Sequence, residues 1–332
     1  MSFSLLPDKD GFSVSGDEMG LVVDIPSEYD GMPVKEISES AFYDWKKMTS
    51  ITIPDSIKII NKKAFYDCQT IEEIHIPVGL VAIGAEAFSC CKKIISFDLP
   101  ETLTQIGSGA FSYTSISEIN IPNKVTIWES YLFNNCINLT SINIPNTVTF
   151  LGTGIFNNCI NLTSINIPNG IEVINEYLFY KCEKLSNIIV PSSVTTINSS
   201  AFSYSGLTSI YLPDSVILMG ARVFRYCKNL STVRLPVGRI NIMESTFEGC
   251  TSLINVDFLP NSVENLQKLS FAYCYNLESI FIPISMKSID EKAFYQCNNI
   301  TTIYYSGTQN EWFQIDGAML FSNITKIYNY GN

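Results

Sequence analysis

The chain has 332 residues, 46% of them hydrophobic, and sets 21 Lys and Arg against 32 Asp and Glu for a net charge of −11. That balance excludes the clustered positive charge that binding nucleic acid or an anionic membrane surface requires. No apolar run reaches the ~20 residues that a membrane-spanning helix needs, so membrane insertion is excluded as well.

In chain order, residues 1–41 are irregular and carry no secretory signal pattern. Asp8-Lys9-Asp10-Gly11 is similar to the opening of a calcium loop, but the later ligands are missing. The turn Tyr29-Asp30-Gly31-Met32-Pro33 follows, with Pro26 sixteen residues before Phe42. The segment reads as an N-terminal cap.

From Phe42 the chain repeats. A phenylalanine returns every 22 to 24 residues, at Phe42, Phe65, Phe88, Phe111, Phe133, Phe156, Phe179, Phe202, Phe224, Phe247, Phe271 and Phe294. Each of the last eleven has a proline eleven residues earlier, from Pro54 to Pro260 and Pro283. Two residue types locked to one period indicate a repeat array, and the period outweighs the two-domain expectation that length alone gives. The unit is Ile-Pro-x-x-Val-x-x-Ile-x-x-x-Ala-Phe-x-x-Cys-x-x-Leu-x-x-Ile-x. Its Leu-x-x-Ile-x-Ile segment alternates as a half-buried strand should, and proline ends it because it has no N–H to give. The spacing in Ala-Phe-x-x-Cys predicts one helical or 3₁₀ turn on the other side of the coil. No unit buries its own apolar face, so about twelve must stack.

The array runs to Tyr305. Beyond it, Thr308 and Glu311 form a Thr-x-x-Glu capping box for a short helix carrying Trp312 and Ile315, and a last strand near Ile327 and Tyr328 closes the open end. The expected organisation is a cap over 1–41, one array over 42–305 and a cap over 306–332, complete at both ends.

This unit resembles the BspA-like, or Treponema-type, leucine-rich repeat. Tyr304-Tyr305-Ser306-Gly307-Thr308-Gln309-Asn310-Glu311-Trp312 resembles C-terminal caps of bacterial members, and Asp30-Gly31-Met32-Pro33-Val34 their N-terminal caps. The resemblance covers nearly the whole chain. It implies a leucine-rich-repeat solenoid with a parallel β-sheet on its concave face, and with short turns, 3₁₀ or helical turns and extended segments on the convex side. It also implies a surface-exposed or secreted protein of a host-associated microbe that adheres to host or microbial proteins. It implies no reaction, since such families share an architecture and not a chemistry.

The residues themselves argue against chemistry. His75 is the single histidine and falls in an alternating strand, where a solvated residue is expected and no catalytic triad assembles. Glu72-Glu73 and Asp290-Glu291 occupy variable, solubilising slots, and no Gly-rich phosphate loop is present. Nine of ten cysteines, Cys68, Cys91, Cys136, Cys159, Cys182, Cys227, Cys250, Cys274 and Cys297, fill the slot three residues after Phe, and Cys90 is out of register. Thr114 and Ser205 fill that slot where the next segment is one residue shorter, which favours buried structural thiols over disulfides. A metal site is disfavoured by the absence of Cys-x-x-Cys. The sequons at Asn138, Asn161, Asn229 and Asn299 share one repeat slot and need no glycan to explain them. The expectation is a protein without catalytic residues, cofactor or metal.

The residue between the two isoleucines of each strand points outward. This row reads Thr52, His75, Asp98, Asn120, Asn143, Asn166, Ile189, Tyr211, Arg234, Asp257, Phe281 and Tyr304. The Asn run predicts amides bonding across strands. Tyr211, Arg234, Asp257, Phe281 and Tyr304 form the candidate binding surface, because Tyr, Phe and Arg on an exposed sheet have hot-spot composition. The competing reading is that aromatics simply suit exposed strands. A protein ligand is expected, with a carbohydrate as the alternative, since Asn, Asp and aromatics on a curved sheet also suit sugars.

Overall fold

A computed structural model describes the chain except residues 17–19, 239, 259–261 and 332 and the side chain of Asp257, so Pro260 lies outside the described residues. The chain divides into two compact units, Met1–Gly170 and Ile171–Asn332. The division falls inside the repeat, at a point where no linker interrupts the period. Each unit is a stack of coils held by parallel strands, the leucine-rich-repeat solenoid.

The alternating segment forms the expected ladder. In the N-terminal unit Val22–Asp24, Ser50–Thr52 and Glu73–Ile74 pair in parallel, as do Ser141–Ile142 and Ser164–Ile165. In the C-terminal unit Ser209–Tyr211 pairs with Thr232–Arg234, and Asn255–Asp257, Ser279–Ile282, Thr302–Tyr305 and Thr325–Ile327 follow one another. The strands are two to four residues long because proline, or the turn after Ile, stops each one.

A second ladder was not legible as a strand. Ile59–Ile60, Ala82–Ile83 and Gln105–Ile106 pair in parallel below Met32–Ile37, and Ile127–Trp128 pairs with Phe150–Leu151. Val173–Ile174, Thr196–Ile197 and Leu218–Met219 do the same in the C-terminal unit. These are the Val-x-x-Ile segments. A strand of two residues offers no alternation to detect.

The Ala-Phe-x-x-Cys segment is neither an α-helix nor a 3₁₀-helix. It is a ribbon of turns with a left-handed residue two positions before and two after each of eleven phenylalanines, as at Lys63 and Asp67 around Phe65 (φ 55° and 58°). Local turns close through Ala64, Tyr66 and Cys68, whose N–H groups donate three residues back. The alternate N–H groups of Lys63, Phe65 and Asp67 donate instead to the carbonyls of Ala85, Ala87 and Ser89 one coil on. A helix consumes every N–H internally. This ribbon leaves half of them to bond the next coil, so the turn wall becomes a third hydrogen-bonded ladder. The coils approach so closely beside it that a Cβ on Gly107 would collide with the backbone of Ala85.

Behind the ribbon the phenylalanine rings form a column. From Phe42 to Phe156 successive centroids lie 5.2, 5.3, 6.1, 5.8 and 5.9 Å apart, with planes within 13°. From Phe179 to Phe294 they lie 5.4, 5.7, 5.5, 5.1 and 5.4 Å apart, within 16°. All are buried except Phe294, which is half-buried against Phe321 of the C-terminal cap.

The cysteine slot has a physical cause. The Phe65 carbonyl accepts from the Cys68 N–H and again, at 3.1 Å, from the Cys91 thiol one coil later. Cys68, Cys136, Cys159, Cys227, Cys250, Cys274 and Cys297 repeat this thiol bond to the preceding Phe carbonyl. A thiol fills apolar space and serves the second lone pair of a buried carbonyl. Thr114, in a shorter coil, bonds its own Phe111 carbonyl instead. No disulfide joins the ten cysteines.

Both predicted cap features are present. The Asp30-Gly31 hairpin turn has φ of 50° and 73° and joins Glu28–Tyr29 to Met32–Ile37, as a two-residue loop demands. Thr308 and Glu311 make the reciprocal capping box of helix Gln309–Trp312, with Thr308 N–H to Glu311 Oε2 at 2.8 Å and Glu311 N–H to Thr308 Oγ1 at 3.3 Å. An antiparallel hairpin, Ser2–Leu5 with Phe12–Ser15, orders the N-terminal end, where the sequence pattern is irregular.

Candidate binding surface

The outward strand slot behaves differently in the two units. In the N-terminal unit Thr52, His75, Asp98, Asn120, Asn143 and Asn166 are all exposed. The predicted amide ladder is not formed side chain to side chain. Asn166 instead grips the backbone one coil back, accepting from the Ile144 N–H at 3.0 Å and donating to its carbonyl at 2.8 Å. It thereby extends the short Ser164–Ile165 pairing by one rung. Asn120 and Asn143 make no such bond. An open depression of about 810 Å³ lies on this face, lined by Glu73, His75, Ser96 and Asp98 among others.

In the C-terminal unit the predicted residues are split into two groups. Tyr211 is 60% exposed and stands in register with Arg234. Arg234 is held flat by bonds from Nη1 to the Leu212 carbonyl (3.0 Å) and from Nη2 to Asp214 (3.1 Å). Ile189, in the same slot one coil earlier, is 79% exposed. Apolar and aromatic surface beside an immobilised guanidinium loses little side-chain entropy on binding.

Phe281 and Tyr304 are in register with each other and with Asp257, whose side chain lies outside the described residues. They are half-buried, because Tyr330 of the C-terminal tail lies over both, with ring centroids 5.8 Å from Phe281 and 4.5 Å from Tyr304. Bonds from the Asn329 N–H to the Gly307 carbonyl and from the Tyr330 N–H to the Tyr305 carbonyl anchor that tail. These two aromatics therefore pack the cap as well as facing outward. Tyr330, itself 48% exposed, was missed. Its signal was the aromatic spacing of Tyr328-Asn329-Tyr330 after the last strand.

Sequence reasoning also missed the outward positions of the second ladder. Ile127 and Phe150 are paired in register and 51% and 45% exposed, and Leu218 is 57% exposed. Among the described residues no group of three His, Cys, Asp or Glu is placed to hold a metal ion. No helix of these residues is long and apolar enough to cross a membrane.

The profile of the BspA type leucine-rich repeat region matches residues 35–163, 104–231, 152–258 and 218–330. The chain belongs to the BspA-type leucine-rich repeat family. Among solved structures it is similar to a leucine-rich repeat protein from Bacteroides ovatus, at 27% identity and a TM-score of 0.72 over 98% of this chain and 97% of that one. A leucine-rich cell surface protein from Faecalibacterium prausnitzii matches at 27% identity and 0.61, over 95% of each chain. The pneumococcal vaccine antigen PcpA, at 20% identity and 0.52 over 95% of this chain and 91% of its own, shares the fold. Among curated proteins none matches this chain. The family relationship explains why the slots that fill the core are so regular. It leaves the outward slots to be read individually.

Proposed function

We propose that this BspA-type protein is a non-catalytic binding protein displayed at a microbial surface, and that it engages a protein ligand through the strand face of its C-terminal unit. The observation that carries the reading is the pairing of Tyr211, 60% exposed, with Arg234 fixed by Asp214, in slots that serve no core contact. Ile189 extends this surface, and Phe281, Tyr304 and Tyr330 supply a second aromatic group nearer the C-terminal cap. Adhesive use of such a face accords with the family, and display at the surface accords with the cell surface protein of F. prausnitzii.

The experiment is a pull-down from host-cell and bacterial surface extracts with the full chain, its Ile189→Ser/Tyr211→Ser variant and its Asn120→Ser/Asn143→Ser variant. A partner retained by the Asn variant and lost by the Tyr211 variant supports the assignment. A partner lost by the Asn variant alone moves the site to the polar row of the N-terminal unit.

A further inference from the structure

The turn ribbon of the C-terminal unit carries a polar, aromatic-walled depression of about 300 Å³, on residues that the strand-face reading does not use. Its walls are Tyr177, Tyr180 and Tyr204, and its polar groups come from Arg222, Arg225, Glu244 and Glu248. Tyr177 and Tyr180 meet at 5.6 Å and 80°, and Tyr180 and Tyr204 at 5.5 Å and 66°, so ring faces stand at steep angles to one another. Tyr226 backs Tyr204 at 4.9 Å and carries the Arg225 guanidinium 4.9 Å above its ring.

Two carboxylate–guanidinium pairs complete the depression. Arg225 clamps Glu248 bidentately, from Nε to Oε2 and from Nη2 to Oε1, both 2.9 Å, and the Tyr226 hydroxyl adds a 3.1 Å bond. The Glu248 side chain is only 4% exposed, the most deeply buried carboxylate of any described ion pair. Burial pushes its acidity down, but bonds from Arg225 and Ser245 win and hold the carboxyl below the ordinary glutamate range. The second pair, Arg222 with Glu244 at 3.2 Å, is open to solvent on both sides.

Burying the carboxylate of a pair whose Arg225 side chain stays 33% exposed costs desolvation that the pairing only partly offsets. Tyr177, Tyr204, Arg222 and Tyr226 stand in the left-handed slots of the ribbon, with φ between 56° and 60°, as Lys63, Tyr113 and Tyr131 do in the N-terminal unit.

We infer that this depression is a binding site for a neutral sugar ring. Its charges cancel, two guanidinium groups against two carboxylates, which gives an anion or a cation no net attraction. The walls offer aromatic faces to the C–H groups of a pyranose, and Tyr177, Tyr180 and Tyr204 bring hydroxyls to the same lining. Arg222 donates and Glu244 accepts, side by side, as a pair of adjacent sugar hydroxyls requires. The volume lies at the small end of ligand pockets, about 300–1,000 Å³, and suits one ring rather than a long chain.

The test is saturation-transfer NMR on the full chain with the methyl glycosides of glucose, galactose, mannose and N-acetylglucosamine, alongside a sulfated glycoside and sialic acid. At least one neutral glycoside is expected to receive transfer. Tyr204→Asn, which keeps a residue suited to the left-handed backbone, is expected to weaken it about tenfold or more. Tyr113→Asn, in the same turn slot of the N-terminal unit, is expected to leave it within about twofold. Transfer to none of the neutral glycosides overturns the inference, as does transfer confined to the anionic probes or unchanged by Tyr204→Asn. Should Tyr204→Asn lose its folded circular dichroism, the exposed Glu244→Gln decides: an unchanged affinity sinks the site, and a loss of about tenfold upholds it. The outcome is independent of the protein-ligand reading, whose variants leave this depression untouched.

Discussion

From Thr52 to Asn166 the outward strand slot holds Thr, His, Asp and three Asn, and from Ile189 to Tyr304 it holds Ile, Tyr, Arg, Asp, Phe and Tyr. Behind this slot nothing comparable changes. The phenylalanine column has centroid spacings of 5.2–6.1 Å in the N-terminal unit and 5.1–5.7 Å in the C-terminal unit. The thiol-to-carbonyl bond recurs in both, at 3.2 Å for Cys159 and 3.1 Å for Cys250. The contrast teaches that the repeat fixes the inward positions by packing and leaves the outward ones free to differ. Differences confined to the outward face are therefore where binding should be sought.

The largest expected effect tests the sameness of the core. Phe156 is fully buried, with Phe133 at 5.9 Å and Trp128 at 6.4 Å. Phe156→Ala should cost about 3–5 kcal/mol, the loss of a buried ring plus its cavity. Phe294 is half-buried at the capped end, and Phe294→Ala should cost about 2 kcal/mol or less, since an end coil frays without unstacking the rest. Urea melts of the two variants check this, and equal losses would break the nearest-neighbour account.

Next comes the difference between the faces. Ile189→Ser with Tyr211→Ser should weaken partner binding by about 2 kcal/mol or more, roughly thirtyfold, as loss of a hot-spot aromatic does. Each change should move stability by about 0.5 kcal/mol or less, because both side chains are exposed. Phe281→Ser and Tyr304→Ser are less clean probes, since loss of the Tyr330 contacts loosens the cap as well. Binding kinetics measured beside a thermal melt separate the two effects.

An alkaline titration then asks whether the two cores respond alike. Burial pushes the Cys68 thiol up to about 12 and the Cys136 and Cys227 thiols up to about 11. An unfolded chain releases these protons near pH 9, while the folded chain retains them. Above that pH the folded state binds more protons, so stability falls as pH rises. It should be level below about pH 9 and decline between 9 and 12, by on the order of 2 kcal/mol per thiol at pH 11. Guanidinium melts across that range test it, and a stability that rises with pH there would refute the burial of the thiols.

How much of this was legible follows from the length over which each feature persists. The phenylalanine column, the thiol slot, the first ladder and the capping box rest on residue types locked to a period or a short motif, and all stand in the structure. The second ladder escaped because two residues cannot show alternation. The spacing of Ala-Phe-x-x-Cys points to one helical or 3₁₀ turn and not to the turn ribbon, because left-handed backbone at residues such as Lys63, Glu86 and Tyr131 has no side-chain signature. Of the candidate surface, outward direction was legible for Tyr211 and Arg234. The cover that Tyr330 places over Phe281 and Tyr304 was not, because it arises from a chain end outside the repeat.

The smallest effect lies within the polar row and sharpens the comparison furthest. Three asparagines in one slot look interchangeable, yet only Asn166 bonds both the N–H and the carbonyl of Ile144. Asn166→Ser is too short to reach both and should cost about 1 kcal/mol, the net worth of a typical bond or two partly exposed ones. Asn120→Ser and Asn143→Ser should cost about 0.5 kcal/mol or less, since their amides face solvent. Hydrogen exchange at the Ile144 amide gives a local reading, because that N–H loses its acceptor in Asn166→Ser and should exchange faster. Three equal losses would restore a cooperative amide ladder along the row. An unequal set would leave the polar face as an outward surface in which one residue has been drawn into the backbone.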